Sequence, residues 1–110
     1  MGARVVKWKN ARVFMEGQEV CREYVKTENV TFGTSTLLPG QTGAVDPGHP
    51  DGQEIFFVSR GHVIVHIPSE GSYYELFESD AIIISERQPH QLMNVGTEPA
   101  VVTWSLVRCS

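Results

Sequence analysis

Two histidines and one glutamate stand where they could perform chemistry, at junctions between predicted strands and loops. His49 closes a loop rich in Gly and Pro, Glu54 begins a strand, and His90 begins another strand. Two imidazoles and a carboxylate can bind a divalent transition metal and leave positions open for water or a substrate. A chain with four histidines and 13 acidic residues contains such sets by chance, so their spacing decides whether they form a site.

The segment Gly48–Gly61 resembles the first motif of the cupin superfamily, G-x5-H-x-H-x(3,4)-E-x6-G. Glu54 and Gly61 fit the last part of this motif, and His49 with Glu54 fits the second histidine and the glutamate. Pro47 stands where the family has its first histidine, and a proline side chain cannot bind a metal.

The segment Ser79–Asn94 resembles the second motif of the family, G-x5-P-x-G-x2-H-x3-N. His90 and Asn94 fall on its histidine and asparagine in register, whereas Ser79, Ser85 and Arg87 replace its Gly, Pro and Gly. These replacements occupy turn positions, so we expect them to change loop geometry more than ligand chemistry.

The resemblance implies an all-β fold, an antiparallel jelly-roll β-barrel that forms one cupin domain over residues 1–110. It implies that His49, Glu54 and His90 bind a divalent transition metal, which could be Fe, Mn, Ni, Cu or Zn. It also implies a homodimer and a small-molecule ligand or substrate inside the barrel. The function expected is that of a metal-dependent enzyme of the dioxygenase, isomerase or lyase type. The alternative is a non-catalytic cupin for ligand binding or dimerisation whose metal site has decayed.

Pro47 leaves four interpretations of the fourth ligand. Asp46 could turn inward and replace the missing imidazole, although a neighbour along a strand should point outward. In a second register His49 is the first histidine and Asp51 the second. The site could instead have three protein ligands, or it could bind no metal.

The elements that must position these residues are predicted to be short strands. Val, Ile and Thr together number 27 and Leu and Ala together number 10, a composition typical of pleated surfaces. Apolar segments divided by turn residues predict an antiparallel sandwich or barrel. The predicted strands are Arg4–Trp8, Ala11–Met15, Val20–Val25, Asn29–Leu38, Glu54–Ser59, His62–Ile67, Tyr73–Phe77, Ala81–Ile84, His90–Val95 and Pro99–Val107, with Pro39–Asp51 as a loop.

The two remaining histidines lie on one predicted strand. His62 and His66 are four positions apart and therefore share a face. The resemblance places Val63 and Val65 inward, so the two histidines face outward and take no part in metal binding.

Composition excludes several classes of function. The net charge of −4 argues against a nucleic-acid binder, and no apolar run reaches the roughly 18 residues of a membrane helix. The first residues lack the apolar region of a signal peptide, so we expect a cytoplasmic protein. Cys21 and Cys109 are too few to predict a disulfide framework.

Overall fold

The computed structural model describes residues 2–108 and has the predicted antiparallel all-β jelly-roll architecture. One three-residue 3-10 helix, Trp8–Asn10, precedes the strands. The strands are β1 (Arg12–Glu16), β2 (Glu19–Lys26), β3 (Val30–Leu37), β4 (Gly52–Arg60), β5 (Val63–Ile67), β6 (Ser72–Leu76), β7 (Ala81–Ile84), β8 (Gln91–Asn94) and β9 (Ala100–Arg108).

The strands form two sheets that enclose one hydrophobic core. The larger sheet has the order β1-β2-β3-β9-β4-β7, and the smaller one has the order β6-β5-β8. Every strand pair is antiparallel. Alternate residues of each strand point inward, and the most deeply buried core residues include Leu37, Val58, Val63, Val65 and Val102.

One predicted strand is wrong, and nine are found within a few residues of their predicted bounds. Arg4–Trp8 forms no strand, because in residues 2–108 no neighbouring strand pairs with it. Instead Trp8 begins the 3-10 helix, and its ring stacks under the Arg22 guanidinium, 3.9 Å from the ring centroid.

Cys21 is buried and forms no disulfide, whereas Cys109 lies outside the described residues. Within residues 2–108 we find no helix whose length and hydropathy would let it cross a membrane.

The predicted loop 39–51 lies along the smaller sheet and thereby reaches the barrel interior. Three isolated antiparallel bridges attach it: Thr42 to Met93, Asp46 to His90, and Gly43 to Gly17 in the turn between β1 and β2. The chain then enters β4, whose inward residues include Glu54 and Phe56. Because β4 pairs with both β7 and β9, Glu54 is held on a strand that is fixed on both sides.

Candidate metal centre

Four side chains converge at the end of the barrel, and we call them the donor cluster: Asp46, His49, Glu54 and His90. Glu54 Oε1 lies 3.0 Å from His90 Nε2 and 3.6 Å from His49 Nε2. Asp46 Oδ2 lies 3.7 Å from His49 Nε2 and 3.9 Å from His90 Nε2. The structure therefore brings together the three residues singled out in the sequence and adds a fourth.

Glu54 is the most constrained member of the cluster. Its side chain is 8% exposed, and its Oε1 atom is buried with no hydrogen-bond partner in the described residues. Burial alone raises the pKa of this carboxyl, but the adjacent His49 and His90 imidazoles offset burial and lower the pKa below its ordinary value. Glu54 is thus a buried anion whose free oxygen faces the cluster.

His90 is oriented by contacts on its far side. Its Nδ1 atom lies 2.8 Å from the carbonyl oxygen of Gln88, and the Phe56 ring packs edge-on against it at 5.3 Å. When Nδ1 carries the donated proton, Nε2 presents its lone pair toward Glu54. Burial lowers the pKa of His90, but Glu54 and the Gln88 carbonyl outweigh burial and raise it.

His49 lies at the mouth of the cavity, with its side chain 33% exposed. Its carbonyl oxygen accepts a hydrogen bond of 2.8 Å from the Arg87 amide, which ties it to the loop before His90. The adjacent Glu54 carboxylate raises the pKa of His49, although burial opposes this. Solvent therefore reaches the cluster from the His49 side.

The expectation that Asp46 points outward is wrong. The backbones of Asp46 and His90 exchange two hydrogen bonds, of 2.8 and 3.0 Å, as a directly opposed antiparallel pair. Residues opposed in this way project to the same side of the sheet, so the Asp46 carboxylate follows the His90 imidazole inward. The Gly48 amide donates to Asp46 Oδ1 at 2.8 Å and fixes the carboxylate.

The alternative register that assigns Asp51 as a ligand is also wrong. The Asp51 side chain is 53% exposed and lies 3.5 Å from Arg108 Nε, outside the donor cluster. Asn94, which falls on the asparagine of the second motif, is buried, but its side chain binds backbone groups. Its amide nitrogen donates to the carbonyls of Leu37 and Glu98, at 2.9 Å each.

The remaining two histidines lie apart from the cluster, as expected. His62 Nε2 is 2.8 Å from Glu75 Oε2, and its ring stacks on Phe77. His66 stacks on Tyr73 with 4.3 Å between ring centroids. Both histidines pack against side chains of β6 and the turn that follows it.

The donor cluster has the chemistry and spacing of a divalent metal site. Four ligands at metal distances of about 2.0–2.2 Å would lie about 3.3–3.6 Å apart in a tetrahedron. The imidazole nitrogens lie 3.0–3.9 Å from the Asp46 and Glu54 oxygens, and the set whose ligand atoms all lie within 4.8 Å of one another is Asp46, His49 and Glu54. With its proton on Nδ1, neutral His90 directs a lone pair at a buried oxygen of Glu54, which is unfavourable without a cation near both atoms. Without a metal, a proton on Nε2 takes that place, in line with the raised pKa of His90. Imidazole and carboxylate donors suit Fe, Mn, Ni, Cu and Zn.

The replaced glycines of the second motif keep glycine-like geometry. Ser79 has a φ of 73° and Arg87 a φ of 61°, so both adopt the left-handed conformation. The expected change in loop geometry is therefore not seen at these positions, and the turn at Arg87 still directs its amide to His49.

A second polar group lines the same cavity and was missed in the sequence. Glu16, Glu19 and Cys21, which we call the carboxyl wall, place their ligand atoms within 4.8 Å of one another. Burial raises the pKa of Glu19 to about 7 and that of Cys21 to about 12. The turn at Gly17-Gln18 was the available signal, because a two-residue connection sets Glu16 directly opposite Glu19.

The donor cluster and the carboxyl wall line one cavity of about 150 Å³. Its other lining is half apolar and half polar and comes from both sheets. The apolar residues are Phe14, Ala44, Phe56, Leu92, Trp104 and Leu106.

Comparison with known proteins identifies a family and a fold. Residues 33–106 match the family model described as the cupin domain. No curated protein matches the sequence significantly.

Solved structures with the same fold are numerous. An uncharacterized conserved protein with a double-stranded beta-helix domain from Klebsiella pneumoniae is 24% identical, with a TM-score of 0.80, 96% of this chain and 90% of that chain covered. A predicted oxalate decarboxylase from Thermotoga maritima is 14% identical, with a TM-score of 0.80. The match covers 96% of this chain and 100% of that chain. A sugar phosphate isomerase from Silicibacter pomeroyi is 11% identical, with a TM-score of 0.77. The match covers 96% of this chain and 76% of that chain. At these identities the likeness extends to the fold alone.

Proposed function

The chain belongs to the cupin domain family, and from that premise we propose that it binds one divalent transition metal and acts on a small organic molecule inside the barrel. The proposed ligands are His49, Glu54 and His90, with Asp46 as the fourth. Asp46 would thus supply the donor that Pro47 cannot. We extend the proposal to the whole chain, residues 1–110, as a single cupin domain.

One observation carries the proposal: Glu54 Oε1 is buried, has no hydrogen-bond partner and lies within 3.6 Å of two imidazole nitrogens. Leaving a buried carboxylate oxygen unsatisfied costs on the order of 1–3 kcal/mol or more. A divalent cation would balance this charge and use the lone pair of His90 at the same time.

The residues around the proposed site have distinct roles. The Gln88 carbonyl and the Phe56 ring keep His90 Nε2 directed inward, and the Gly48 amide holds Asp46. His49, a third exposed, lies where a substrate would enter. A bound metal would supply Lewis-acid or redox chemistry, and the apolar part of the lining would strengthen electrostatic interactions beside it.

The reaction is expected to be of the dioxygenase, isomerase or lyase type found among proteins that the sequence resembles. The metal content of untagged protein, purified without a chelator, tests the proposal. We expect about one equivalent of metal per chain, and the element separates oxygen chemistry from Lewis-acid chemistry. Protein that holds no metal after reconstitution would favour the non-catalytic alternative.

A pair of histidine variants tests the ligand assignment. His90→Ala should lose the metal, because it removes a buried donor 3.0 Å from Glu54. His62→Ala is the matched control, since His62 pairs with Glu75 outside the cluster. If His90→Ala retains as much metal as the control, the assignment is wrong.

A second pair tests the fourth ligand. Asp46→Ala should weaken metal binding, whereas Asp51→Ala should leave it unchanged because Asp51 pairs with Arg108. Equal metal affinity in the two variants would mean that Asp46 is not a ligand and that the site has three protein ligands.

We also propose that the protein is a homodimer. The outer face of the larger sheet exposes Ile55, Phe57 and Ile83, which are 39%, 41% and 60% exposed, and Ile55 and Ile83 are directly paired. Adjacent exposed apolar side chains favour association with a second surface. Light scattering coupled to size exclusion would determine the mass in solution, and Ile83→Lys should shift it to that of a monomer.

A further inference from the structure

The carboxyl wall has no part in the proposed metal site, yet it lines the same cavity. Glu19 is 5% exposed, and its Oε1 atom lies 3.9 Å from the Cys21 thiol. Buried carboxyl groups usually have a charged or strongly hydrogen-bonded partner. The neighbours of Glu19 are the neutral Cys21 thiol and the Ser35 hydroxyl. The partner that the wall lacks is therefore a charged one, and its charge indicates what the cavity accepts.

The basic side chains that line the cavity do not serve this wall. Arg108 donates to the Thr27 carbonyl at 3.0 Å and to Thr31 Oγ1 at 2.7 Å, and it also pairs with Asp51. Lys26 is exposed at the end of β2. Among the ion pairs of residues 2–108, none includes Glu16 or Glu19.

A metal in the donor cluster would not satisfy the carboxyl wall either. A divalent ion would balance the two carboxylates of that cluster, Asp46 and Glu54. Glu16 and Glu19 would keep their own negative charge, which repels an anionic ligand and attracts a cationic one. The raised pKa of Glu19, at about 7, is the response of a buried carboxyl that lacks such a cation.

The size and walls of the cavity restrict the cation further. A volume of about 150 Å³ equals that of engineered cavities that hold benzene. Phe56, Leu92 and Trp104 supply apolar surface beside the carboxyl wall. An aromatic face such as that of Trp104 also attracts a cation.

We propose that the cavity selects a small organic cation, a primary amine carried on a compact apolar group, and that Glu16 and Glu19 bind its ammonium. This inference rests on the proposed function in taking the barrel cavity as the ligand site. Carboxylates and phosphates of similar size are disfavoured by the same two residues.

Three probes of similar shape and different charge test this selectivity: benzylamine, benzyl alcohol and benzoate. Isothermal titration of the purified protein at pH 8, where Glu19 is mostly ionised, measures their affinities. A chelator-treated sample is titrated beside it, because benzoate can itself bind a metal ion. We expect benzylamine to bind about tenfold tighter than benzyl alcohol and benzoate to bind more weakly than both. Binding of benzoate as tight as that of benzylamine would overturn the proposal.

Charge-removing variants assign the selectivity to the carboxyl wall. The double variant Glu16→Gln and Glu19→Gln should lose about tenfold in benzylamine affinity with benzyl alcohol unchanged. Glu23→Gln is the control, because Glu23 lines the same cavity but is already paired with Arg12 at 2.8 Å. An equal loss for both probes, or a full effect in the control, would count against the proposal. The single variant Glu16→Gln gives a smaller loss in the same direction if the double variant is poorly folded.

Metal analysis of the same samples separates this inference from the proposed function. If the protein holds no metal yet prefers benzylamine, the metal site is refuted and the selectivity stands. If it holds metal and prefers benzoate, the metal site stands and the selectivity is refuted.

Discussion

The donor cluster and the carboxyl wall share one cavity, yet their central carboxyl groups have opposite acidities. Glu54 and Glu19 are 7% and 5% exposed, so burial raises the pKa of both. The pKa of Glu54 is nevertheless lowered, because His49 and His90 lie beside it. The pKa of Glu19 rises to about 7, because burial and the nearby Glu16 carboxyl raise it and the hydrogen bond with Ser35 only partly opposes them.

This difference teaches that the partner of a buried carboxyl, rather than the depth of its burial, decides its charge. The donor cluster is organised to hold a cation among fixed groups. The carboxyl wall remains without a fixed cation, and this is the property expected of a surface that meets a transient ligand. Variants that exchange or remove the partners test this contrast.

The largest effect is expected when a Glu→Gln substitution in the donor cluster is compared with the same substitution in the carboxyl wall. Glu54→Gln should reduce metal affinity about 100-fold or more, because it removes a negatively charged ligand. Glu19→Gln should bind metal as the wild type does. Competition with a chromogenic chelator measures both affinities, and equal losses would show that the two sides form one metal site.

Gly48→Ala should disrupt the donor cluster and leave the carboxyl wall intact. Gly48 has a φ of 92°, and an added Cβ would lie 2.6 Å from the Gln88 amide nitrogen, where backbone cannot easily yield. We expect a loss of about 2–3 kcal/mol in the free energy of unfolding and weaker metal binding, as His49 and Asp46 move away from His90.

Gly71→Ala is the control for this substitution. Gly71 has a φ of 66° with nothing within 4 Å of an added Cβ, so it measures backbone strain without the clash. Urea denaturation of both variants compares the two contributions. If Gly71→Ala is as destabilising as Gly48→Ala, the clash between residue 48 and the backbone of Gln88 contributes nothing to the loss of stability.

Glu19→Gln should stabilise the protein above pH 7. The folded protein holds a proton on Glu19 up to a pKa of about 7, against an ordinary value of 4.5. The stability contributed by Glu19 is therefore present below pH 4.5 and is lost as the pH rises toward 7. The variant avoids this loss, so its unfolding free energy should exceed that of the wild type by up to about 3 kcal/mol at pH 8.

Melting temperatures measured at pH 5 and pH 8 test the Glu19 prediction. The variant should melt about 10 °C above the wild type at pH 8, and the gap should narrow at pH 5. A gap that is the same at both pH values would mean that Glu19 does not titrate in this range.

The smallest effect is expected at the turn that joins the cluster to its loop. Arg87→Gly should change the unfolding free energy by at most about 1 kcal/mol, because relief of the left-handed φ is offset by greater freedom of the unfolded chain. Metal affinity should be unchanged. Ser79→Gly, at a φ of 73°, is the matched control, and a larger effect of Arg87→Gly on metal binding would show that the arginine side chain itself acts at the site.

The strands and the three candidate ligands could be predicted because both depend on local sequence. Alternation of apolar residues locates a strand such as Ala81–Ile84, and motif spacing identifies His49, Glu54 and His90. The direction of Asp46 could not be predicted, because it depends on which residue of a distant strand it pairs with. Glu16 and Glu19 were missed for the same reason. Their turn is visible in the sequence, but the face of the hairpin that lines the cavity is fixed by tertiary pairing.

The bridge between Asp46 and His90 has a consequence for folding kinetics. These residues are 44 positions apart, and β4, β5, β6 and β7 lie between them. Closing so long a loop costs conformational entropy, which is recovered only once the intervening strands have paired. The donor cluster therefore assembles late, after the folding transition state. An ion held there would slow unfolding and leave the folding rate nearly unchanged. It would therefore lengthen the lifetime of the native state.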